Sequence, residues 1–111
     1  MFYKANNDNY RQVLSGINLK TLVYGKETLF SEFRMEKGSI LPKHSHPHEQ
    51  TGYLIKGRIN LAIGNDVFEA NPGDCWCIES NIEHSAEILE DSIAIEVFSP
   101  IREDYLPENQ T

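Results

Sequence analysis

The residues best suited to chemistry in this chain are its histidines, and they are clustered. Of the four histidines, three lie within five positions, at His44, His46 and His48, and the fourth, His84, follows a turn further along. Imidazole is the commonest transition-metal ligand in proteins. Side chains two residues apart on a strand point to the same face, so His44 and His46 would lie on the same face of their strand. The pattern favours a metal site built from this pair and His84, although each histidine taken alone is as well explained as an unrelated surface or core residue.

Length and composition limit the classes of protein to which the chain could belong. With 111 residues, 40% of them hydrophobic, it is long enough for one domain with its own core. Its 17 acidic and 10 basic residues give a net charge of −7, and the basic residues are scattered. A nucleic-acid surface needs clustered Lys and Arg. There is no apolar run of about 18 residues and no apolar leader, so we expect a cytoplasmic protein with neither nucleic-acid nor membrane partners.

The elements that must position the histidines are predicted to be short strands between closely spaced turns. Apolar and polar residues largely alternate over 28–38, and further runs with β character follow at 53–55, 58–63, 67–69, 75–78 and 92–99. Strands this short, with so many turns, predict an antiparallel sandwich or barrel. One helical turn is predicted over 7–16, and the polar tail after Pro100 is predicted to wrap the outside.

The two cysteines, Cys75 and Cys77, are two apart on a predicted strand. That spacing suits a disulfide poorly. No second cysteine pair exists to complete a thiolate metal site. Because free cysteines are commonly buried, both are predicted to be small residues of the core.

The last predicted strand carries a carboxylate between apolar residues. Glu96 shares one face of this strand with Ala94 and Phe98. Either this face is wet and Glu96 is an ordinary solvated side chain, or it lines a lumen that contains the metal, where Glu96 is a candidate acid or base with a raised pKa. Arg102 belongs either to a surface charge cluster or to a pocket rim, where it is suited to holding a carboxylate ligand.

Two stretches resemble the two motifs of the cupin family. The first reads G-x5-H-x-H-x3-Q-x6-G from Gly38, and the second reads G-x5-E-x-N-x2-H from Gly73, with Glu79 and Asn81 in place of the usual Pro and Gly. The resemblance implies an all-β fold, the double-stranded β-helix or jelly-roll barrel of cupins. It implies one domain over 1–111, with a barrel core at about 27–99 and the N-terminal segment and C-terminal tail packing outside.

The same resemblance implies one divalent transition metal per chain. Its ligands would be the side chains at the motif positions: His44, His46, Gln50 and His84. Gln50 stands where cupins usually have Glu, so the ligand set is neutral and leaves the ion its full charge. Mn, Fe, Co, Ni and Zn all accept such a set. His48 is expected beside the site or at the pocket mouth, and Glu49 is expected to point outward.

A narrower resemblance, to the KdgF-type cupins of pectin breakdown, is carried by HPHEQ and by the closing segment EVFSPIREDYL. It implies an enzyme that opens and ketonises the ring of unsaturated uronate sugars, and a homodimer joined through edge strands. The roles that carry over are catalytic for Glu96 and Arg102, and binding of an anionic, uronate-like substrate for Phe98 and Arg102. This chain has Glu96 where the group has Asp.

Two other functions stay open on the sequence alone. One is a metal-bearing barrel that binds a small ligand without turnover, and the other is a cupin oxygenase or lyase that acts on another small acid. Turnover of unsaturated uronates, lost in Glu96→Gln, would exclude the first. Oxygen consumption or a dependence on Fe(II) would favour the second.

Overall fold

The chain folds almost entirely into antiparallel strands. A computed structural model describes residues 1–107. The strands are β1 (Arg11–Leu14), β2 (Ile17–Tyr24), β3 (Leu29–Met35), β4 (Ile40–His44), β5 (Glu49–Ile63), β6 (Asp66–Ala70), β7 (Cys75–Ile78) and β8 (His84–Ser99), followed by a short 3-10 turn, η1 (Glu103–Tyr105). Within residues 1–107, no helix has the length and apolar character needed to cross a membrane.

Two long strands, β5 and β8, build both layers of the fold. They pair with each other along nearly their whole length, with three changes of register between Leu54 and Ile59. Before this bend, β5 pairs with β7 and with the second half of β8, which continues through β3 and β2 to β1. Beyond it, β5 pairs with β6 and with the first half of β8, which also carries β4. The two long strands thus run through both layers, with β1 and β7 at the edges of one layer and β4 and β6 at the edges of the other.

A glycine makes the bend possible. Gly57 has φ +97°, and a Cβ added there would lie 2.1 Å from Ser92 Oγ and 2.5 Å from the Asp91 carbonyl oxygen. Ser92 Oγ also accepts a hydrogen bond from the Arg58 backbone N–H at 3.1 Å. β5 therefore passes β8 so closely at this point that only glycine fits.

The core lies between the two layers and follows the predicted alternation. In β3, four alternate residues are buried: Leu29, Ser31, Phe33 and Met35. In β8, Ala94 and Phe98 are buried on the inner side, and Glu96 lies between them in the same row of inward-facing residues. The all-β prediction is confirmed.

The N-terminal part of the chain differs from the prediction. The helical turn expected over 7–16 is wrong, because residues 11–14 form β1 and pair with β2. The core also extends upstream of residue 27, since Ile17 is 0% exposed and Leu19 is 1% exposed. The hydrogen-bond partner of β1 lies in the following strand, so the local sequence of 7–16 does not reveal it.

The cysteines were predicted on the wrong face of their strand. Both Cys75 and Cys77 are free and exposed, while Trp76 is half-buried and Ile78 is buried. The alternation is as expected but its phase is reversed. The larger apolar side chains take the inner face, because they remove more surface from water there than a thiol does.

The segment after β8 covers one end of the core. Ile101, Tyr105 and Leu106 pack against the buried cluster, and Arg11 donates a hydrogen bond to the Asp104 carbonyl oxygen at 2.7 Å. The predicted tail thus packs on the barrel as far as residue 107, and its last part lies outside the described residues.

Candidate metal centre

Three histidines from separate segments meet at one end of the barrel. His44 ends β4 and lies directly opposite His84, the first residue of β8, while His46 lies in the loop between β4 and β5. The ring centroids of His44 and His84 are 4.1 Å apart, and those of His46 and His84 are 4.9 Å apart. One ring nitrogen of each histidine lies within 4.8 Å of the others.

The backbone sets the orientation of all three rings. The Nδ1 atoms of His44, His46 and His84 lie 2.7, 3.0 and 2.9 Å from the carbonyl oxygens of Pro42, His48 and Ile82, each two residues away. A carbonyl oxygen only accepts hydrogen bonds, so each Nδ1 must carry the ring proton. Each Nε2 is then left with a lone pair, as a metal ligand requires.

The environments of the His46 and His84 rings favour neutral imidazoles. Burial, with smaller contributions from Arg102 and His84, lowers the pKa of His46 to about 4. Burial also lowers the pKa of His84. His84 is 2% exposed, and its Nε2 has no hydrogen-bond partner within residues 1–107. A buried nitrogen without a partner is costly, and a cation bound between the three rings would satisfy it.

Gln50 completes the donor set. It is buried on β5, and its Oε1 lies 3.1 Å from His46 Nε2. Since His46 carries its proton on Nδ1, the two facing atoms both offer lone pairs and cannot bond to each other. A cation near both would resolve this conflict. Three imidazoles and an amide oxygen therefore fit a divalent transition metal.

The second motif departs from the family pattern at Asn81, and the structure shows why the change is tolerated. Asn81 has φ +66°, in the left-handed region that glycine usually occupies and that asparagine tolerates best among the other residues. Its N–H donates to the His46 carbonyl oxygen at 2.8 Å. This bond ties the turn before His84 to the loop that carries His46.

A carboxylate lies beside the ligand set. Glu96 Oε1 accepts hydrogen bonds from Gln50 Nε2 at 2.7 Å and from Trp76 Nε1 at 3.1 Å. Burial raises the pKa of the Glu96 carboxyl to about 7, although both hydrogen bonds act in the opposite direction. The carboxyl can therefore hold or release a proton near neutral pH. Sequence reasoning did not identify Trp76.

The segment after β8 places the guanidinium group of Arg102 near the same cavity. Arg102 lies 4.0 Å from the ring centroid of Tyr105 and 5.2 Å from that of Phe98. Its Nε and Nη2 donate to the two carboxylate oxygens of Asp104 at 3.2 and 2.7 Å. The Arg102 side chain is 14% exposed. Phe98 also contacts His46, with their ring centroids 6.0 Å apart.

These groups line one narrow cavity of about 40 Å³, which includes His44, Gln50, His84, Glu96 and Arg102. That volume suits an ion and a water molecule or two rather than a whole sugar ring. A larger depression of about 820 Å³ lies outside the barrel, between the N-terminal segment and β2 and β3, away from the histidines.

His48 and Glu49, the two other polar residues of the HPHEQ stretch, lie outside the three-histidine group. His48 is half-buried, with its ring centroid 5.4 Å from that of His46, and it does not belong to the three-histidine group. Glu49 is exposed on the outer side of β5.

Known families and structures agree with this geometry. Residues 31–99 match the model of the cupin domain family. The chain belongs to the cupin family. The described fold is accordingly the jelly roll of cupins, and the resemblance in the two motifs is confirmed.

Individual cupins are similar to this one over most of its length. The pectin degradation protein KdgF of Dickeya dadantii (strain 3937) is 27% identical over 99 residues, which cover 87% of this chain and 90% of that protein. The structure of KdgF from Halomonas sp. has a TM-score of 0.84 and 28% identity, covering 88% of this chain and 91% of that one. An RmlC-like cupin from Shewanella frigidimarina NCIMB 400 shares the fold, with a TM-score of 0.85, 23% identity and 88% of each chain covered.

Proposed function

We propose that this cupin is a metal-dependent isomerase that opens and ketonises the ring of an unsaturated uronate released by pectin or alginate breakdown. The observation that carries the proposal is the Glu96 carboxyl, with a pKa raised to about 7, hydrogen-bonded to Gln50 beside three convergent imidazoles. The similarity to two proteins named KdgF, one of them described as a pectin degradation protein, supports this substrate class.

A divalent metal held by His44, His46, Gln50 and His84 would supply Lewis acidity toward an oxygen of the sugar. The neutral donor set leaves the ion its full charge. The remaining steps fall to the protein's own side chains. They must hold the uronate carboxylate, move one proton and limit access of water.

Glu96 is suited to move that proton. Opening a cyclic hemiacetal removes the proton of the anomeric hydroxyl and breaks the ring C–O bond. The bond between the anomeric carbon and the ring oxygen breaks to leave an aldehyde and an enolate, and the enolate becomes a ketone when the same proton is delivered to carbon, so the reaction is an isomerisation without net gain or loss of atoms. Because Oε1 of Glu96 already accepts two hydrogen bonds, its Oε2 is the atom that would take and return the proton.

Arg102 is suited to hold the uronate carboxylate. Asp104 occupies the Nε and Nη2 side of its guanidinium. A substrate carboxylate would bind through the remaining N–H groups or displace Asp104, and either contact is a charge-assisted hydrogen bond. The cavity is too narrow for a sugar ring, so we expect the ring at its mouth, beside Arg102, while Phe98, which is 1% exposed, packs beneath the Arg102 guanidinium.

The test is turnover together with metal content. Freshly purified protein is analysed for metals, reconstituted, and followed by NMR with unsaturated monouronates from pectin and from alginate as substrates. We expect turnover that requires metal and falls at least about 100-fold in Glu96→Gln, the usual scale for loss of a general acid–base group. Metal-loaded protein that binds a uronate without any turnover would refute the isomerase and leave a binding protein. Oxygen uptake with Fe(II) would instead indicate an oxygenase.

We also propose that two copies associate through the outer face of the larger layer rather than through strand edges. This face carries a continuous apolar surface in neighbouring strands. Tyr53 and Ile55 are each 47% exposed on β5, and Phe30 is 39% exposed on β3. Tyr53 lies opposite Ile95, and Phe30 lies opposite Val97, in the strand pairing. An exposed apolar face of this kind is typical of an interaction site.

Charges at the two ends of this face support a second copy of the chain as its partner. Glu49 and Glu79 lie near Cys77 at one end, while Lys56 lies opposite Ile93 at the other, where Arg34 is already paired with Glu32 at 2.8 Å. A two-fold axis through the middle of the face would bring the acidic end of each copy against the basic end of the other, the self-complementarity that an isologous interface requires.

A further inference from the structure

One row of residues crosses three strands beside the metal centre. Gly52 on β5 lies between two pairing partners, Trp76 on β7 and Glu96 on β8. The indole of Trp76 passes over Gly52 to reach Glu96, with Nε1 to Oε1 at 3.1 Å. A Cβ added at Gly52 would lie 2.1 Å from Trp76 Nε1 and 2.3 Å from its Cε2. The absence of a side chain at residue 52 is thus what allows the indole to span two strand spacings.

The chemistry of the indole fixes the next contact. An indole N–H can only donate, so Glu96 Oε1 accepts from it, and when the carboxyl is protonated the proton is placed on Oε2, which leaves Oε1 an acceptor in both charge states. The same oxygen lies 2.7 Å from the Gln50 side-chain nitrogen. An acceptor at this point selects the NH₂ end of the Gln50 amide, and the carbonyl end then faces His46 Nε2 at 3.1 Å.

The orientation of this amide decides whether Gln50 can bind a metal. The two ends of an amide have nearly the same shape, so packing alone selects weakly between them. The oxygen is a ligand, whereas the NH₂ group would turn two partly positive hydrogens toward the cation. A glutamate at this position would need no such selection, because both of its oxygens are ligands.

We propose that Trp76 is a positioning residue that acts through Glu96 to turn the amide oxygen of Gln50 toward the metal. The inference rests on the metal site of the proposed function but not on its substrate. Glu96 accordingly has two separable roles: its Oε1 orients Gln50, and its Oε2 is left for proton transfer.

Three variants separate these roles. Trp76→Phe keeps an aromatic ring over Gly52 but removes the N–H. Glu96→Gln keeps an acceptor oxygen for both donors, whereas Glu96→Ala removes it. Tyr53→Phe, which removes one hydroxyl from an exposed ring on the outer face of β5, is the matched control. Circular dichroism and thermal unfolding of the metal-free proteins show whether each variant folds.

The first measurement is metal affinity, by titration of Mn²⁺ and Ni²⁺ against a chromophoric chelator. Loss of a group that orients a ligand typically weakens metal binding by about 10- to 100-fold. We expect a loss of about 10-fold in Trp76→Phe and in Glu96→Ala, and less than about 3-fold in Glu96→Gln and Tyr53→Phe, since these two keep the chain of contacts intact. Wild-type affinity in folded Trp76→Phe and Glu96→Ala would overturn the proposal.

The second measurement uses the indole itself. The chain has one tryptophan, so a ¹⁵N–¹H spectrum shows a single indole signal. We expect Zn²⁺ to shift this signal in the wild type and in Glu96→Gln but not in Glu96→Ala, where the link to Gln50 is broken. An equal shift in Glu96→Ala would mean that the indole senses the ion without acting through Glu96. Neither measurement uses a sugar, so absence of uronate turnover would leave this test intact.

Discussion

At the residue scale, the metal centre is built from atoms whose hydrogen-bonding roles allow one assignment. Three carbonyl oxygens hold three Nδ1 protons, and one indole N–H fixes the acceptor atom of Glu96. The lone pairs of His44, His46 and His84 are therefore directed before any ion is present. Single substitutions in this set have separable consequences.

Replacing His84 should abolish metal binding. His84 Nε2 is a buried nitrogen that has no hydrogen-bond partner among residues 1–107, so His84→Ala removes a proposed ligand from the centre of the site. We expect about one transition metal per wild-type chain and less than about 0.1 in the variant. Elemental analysis of both proteins, purified side by side, checks this.

His48 provides the matched control in the same loop. Its carbonyl oxygen, which accepts the His46 Nδ1 proton, is retained in His48→Ala. Metal content should stay at the wild-type level. If His48→Ala loses metal as completely as His84→Ala, the ligand assignment is wrong.

Glu96 should make the metal-free protein less stable as the pH rises. Its pKa is raised from 4.5 to about 7 in the folded state. The unfolded chain therefore releases this proton first, and the contribution of Glu96, complete below pH 4.5, is lost as the pH rises through about 7. The expected loss is about 3 kcal/mol in the free energy of unfolding.

Urea titrations of metal-free protein at pH 4.5 and pH 8 measure this effect. Glu96→Gln cannot ionise, so the fall in stability attributable to residue 96 should be absent from it. An equal fall in both proteins would assign the pH dependence to other groups.

At the element scale, the bend in β5 and β8 holds the two layers together and with them the site. Gly57→Ala should lower the free energy of unfolding by at least about 2 kcal/mol, because it combines a positive φ with a clash against the backbone of β8. Chemical denaturation of the purified variant gives this value. If Gly57→Ala is nearly as stable as the wild type, β5 and β8 can move apart at residue 57 without a loss in the free energy of unfolding.

Two other glycines allow the effect of the positive φ to be measured separately from the effect of the clash with β8. Gly73 has φ +96° but no atom within 4 Å of an added Cβ, so Gly73→Ala measures the backbone conformation alone, about 1 kcal/mol. At Gly25 nothing lies within 4 Å and φ is not positive, so Gly25→Ala should be close to neutral. The excess at Gly57 is the contribution of the close approach.

Sequence patterns predicted the strands and the grouping of three histidines better than the contacts between strands. Alternation in β3 predicted its buried face correctly, and the spacing of the histidines predicted that His44, His46 and His84 come together. The orientation of Cys75 and Cys77 was wrong because alternation fixes a period and not a phase. The role of Trp76 depends on register across three strands, which no local pattern contains. Gly52 inside a strand was the one available sign that another group approaches the backbone there.

At the scale of the whole molecule, the charged ends of the outer face predict how two copies pair. Lys56→Glu and Glu49→Lys should each weaken the dimer, because each places like charges together. The double variant should restore it, since exchanging the two ends leaves them complementary. Light scattering over a dilution series checks the mass, and loss of the dimer at low salt in the double variant would contradict the two-fold arrangement.

A charge in the middle of the face should have a larger effect. Tyr53→Asp brings two carboxylates near the two-fold axis and should give a monomer at micromolar concentration. Phe68, 52% exposed on β6 in the other layer, provides the control, and Phe68→Asp should leave the dimer unchanged. A dimer that survives Tyr53→Asp but not Phe68→Asp would move the interface to the smaller layer.

The carbonyl contacts of the three histidines bear on how this protein can change over generations. A substitution in the pocket changes a side chain but keeps the main-chain carbonyl oxygens that accept the three Nδ1 protons. The orientation of the imidazole rings therefore does not depend on which side chains surround them. Phe98 and Arg102 can therefore vary to suit a different ligand while the positions of the three imidazoles persist. Only the amide of Gln50, which relies on Trp76 and Glu96, ties the ion to the pocket's side chains. We therefore expect new specificities to arise from changes to the other residues that line the pocket. Gln50, Trp76 and Glu96 should change only together.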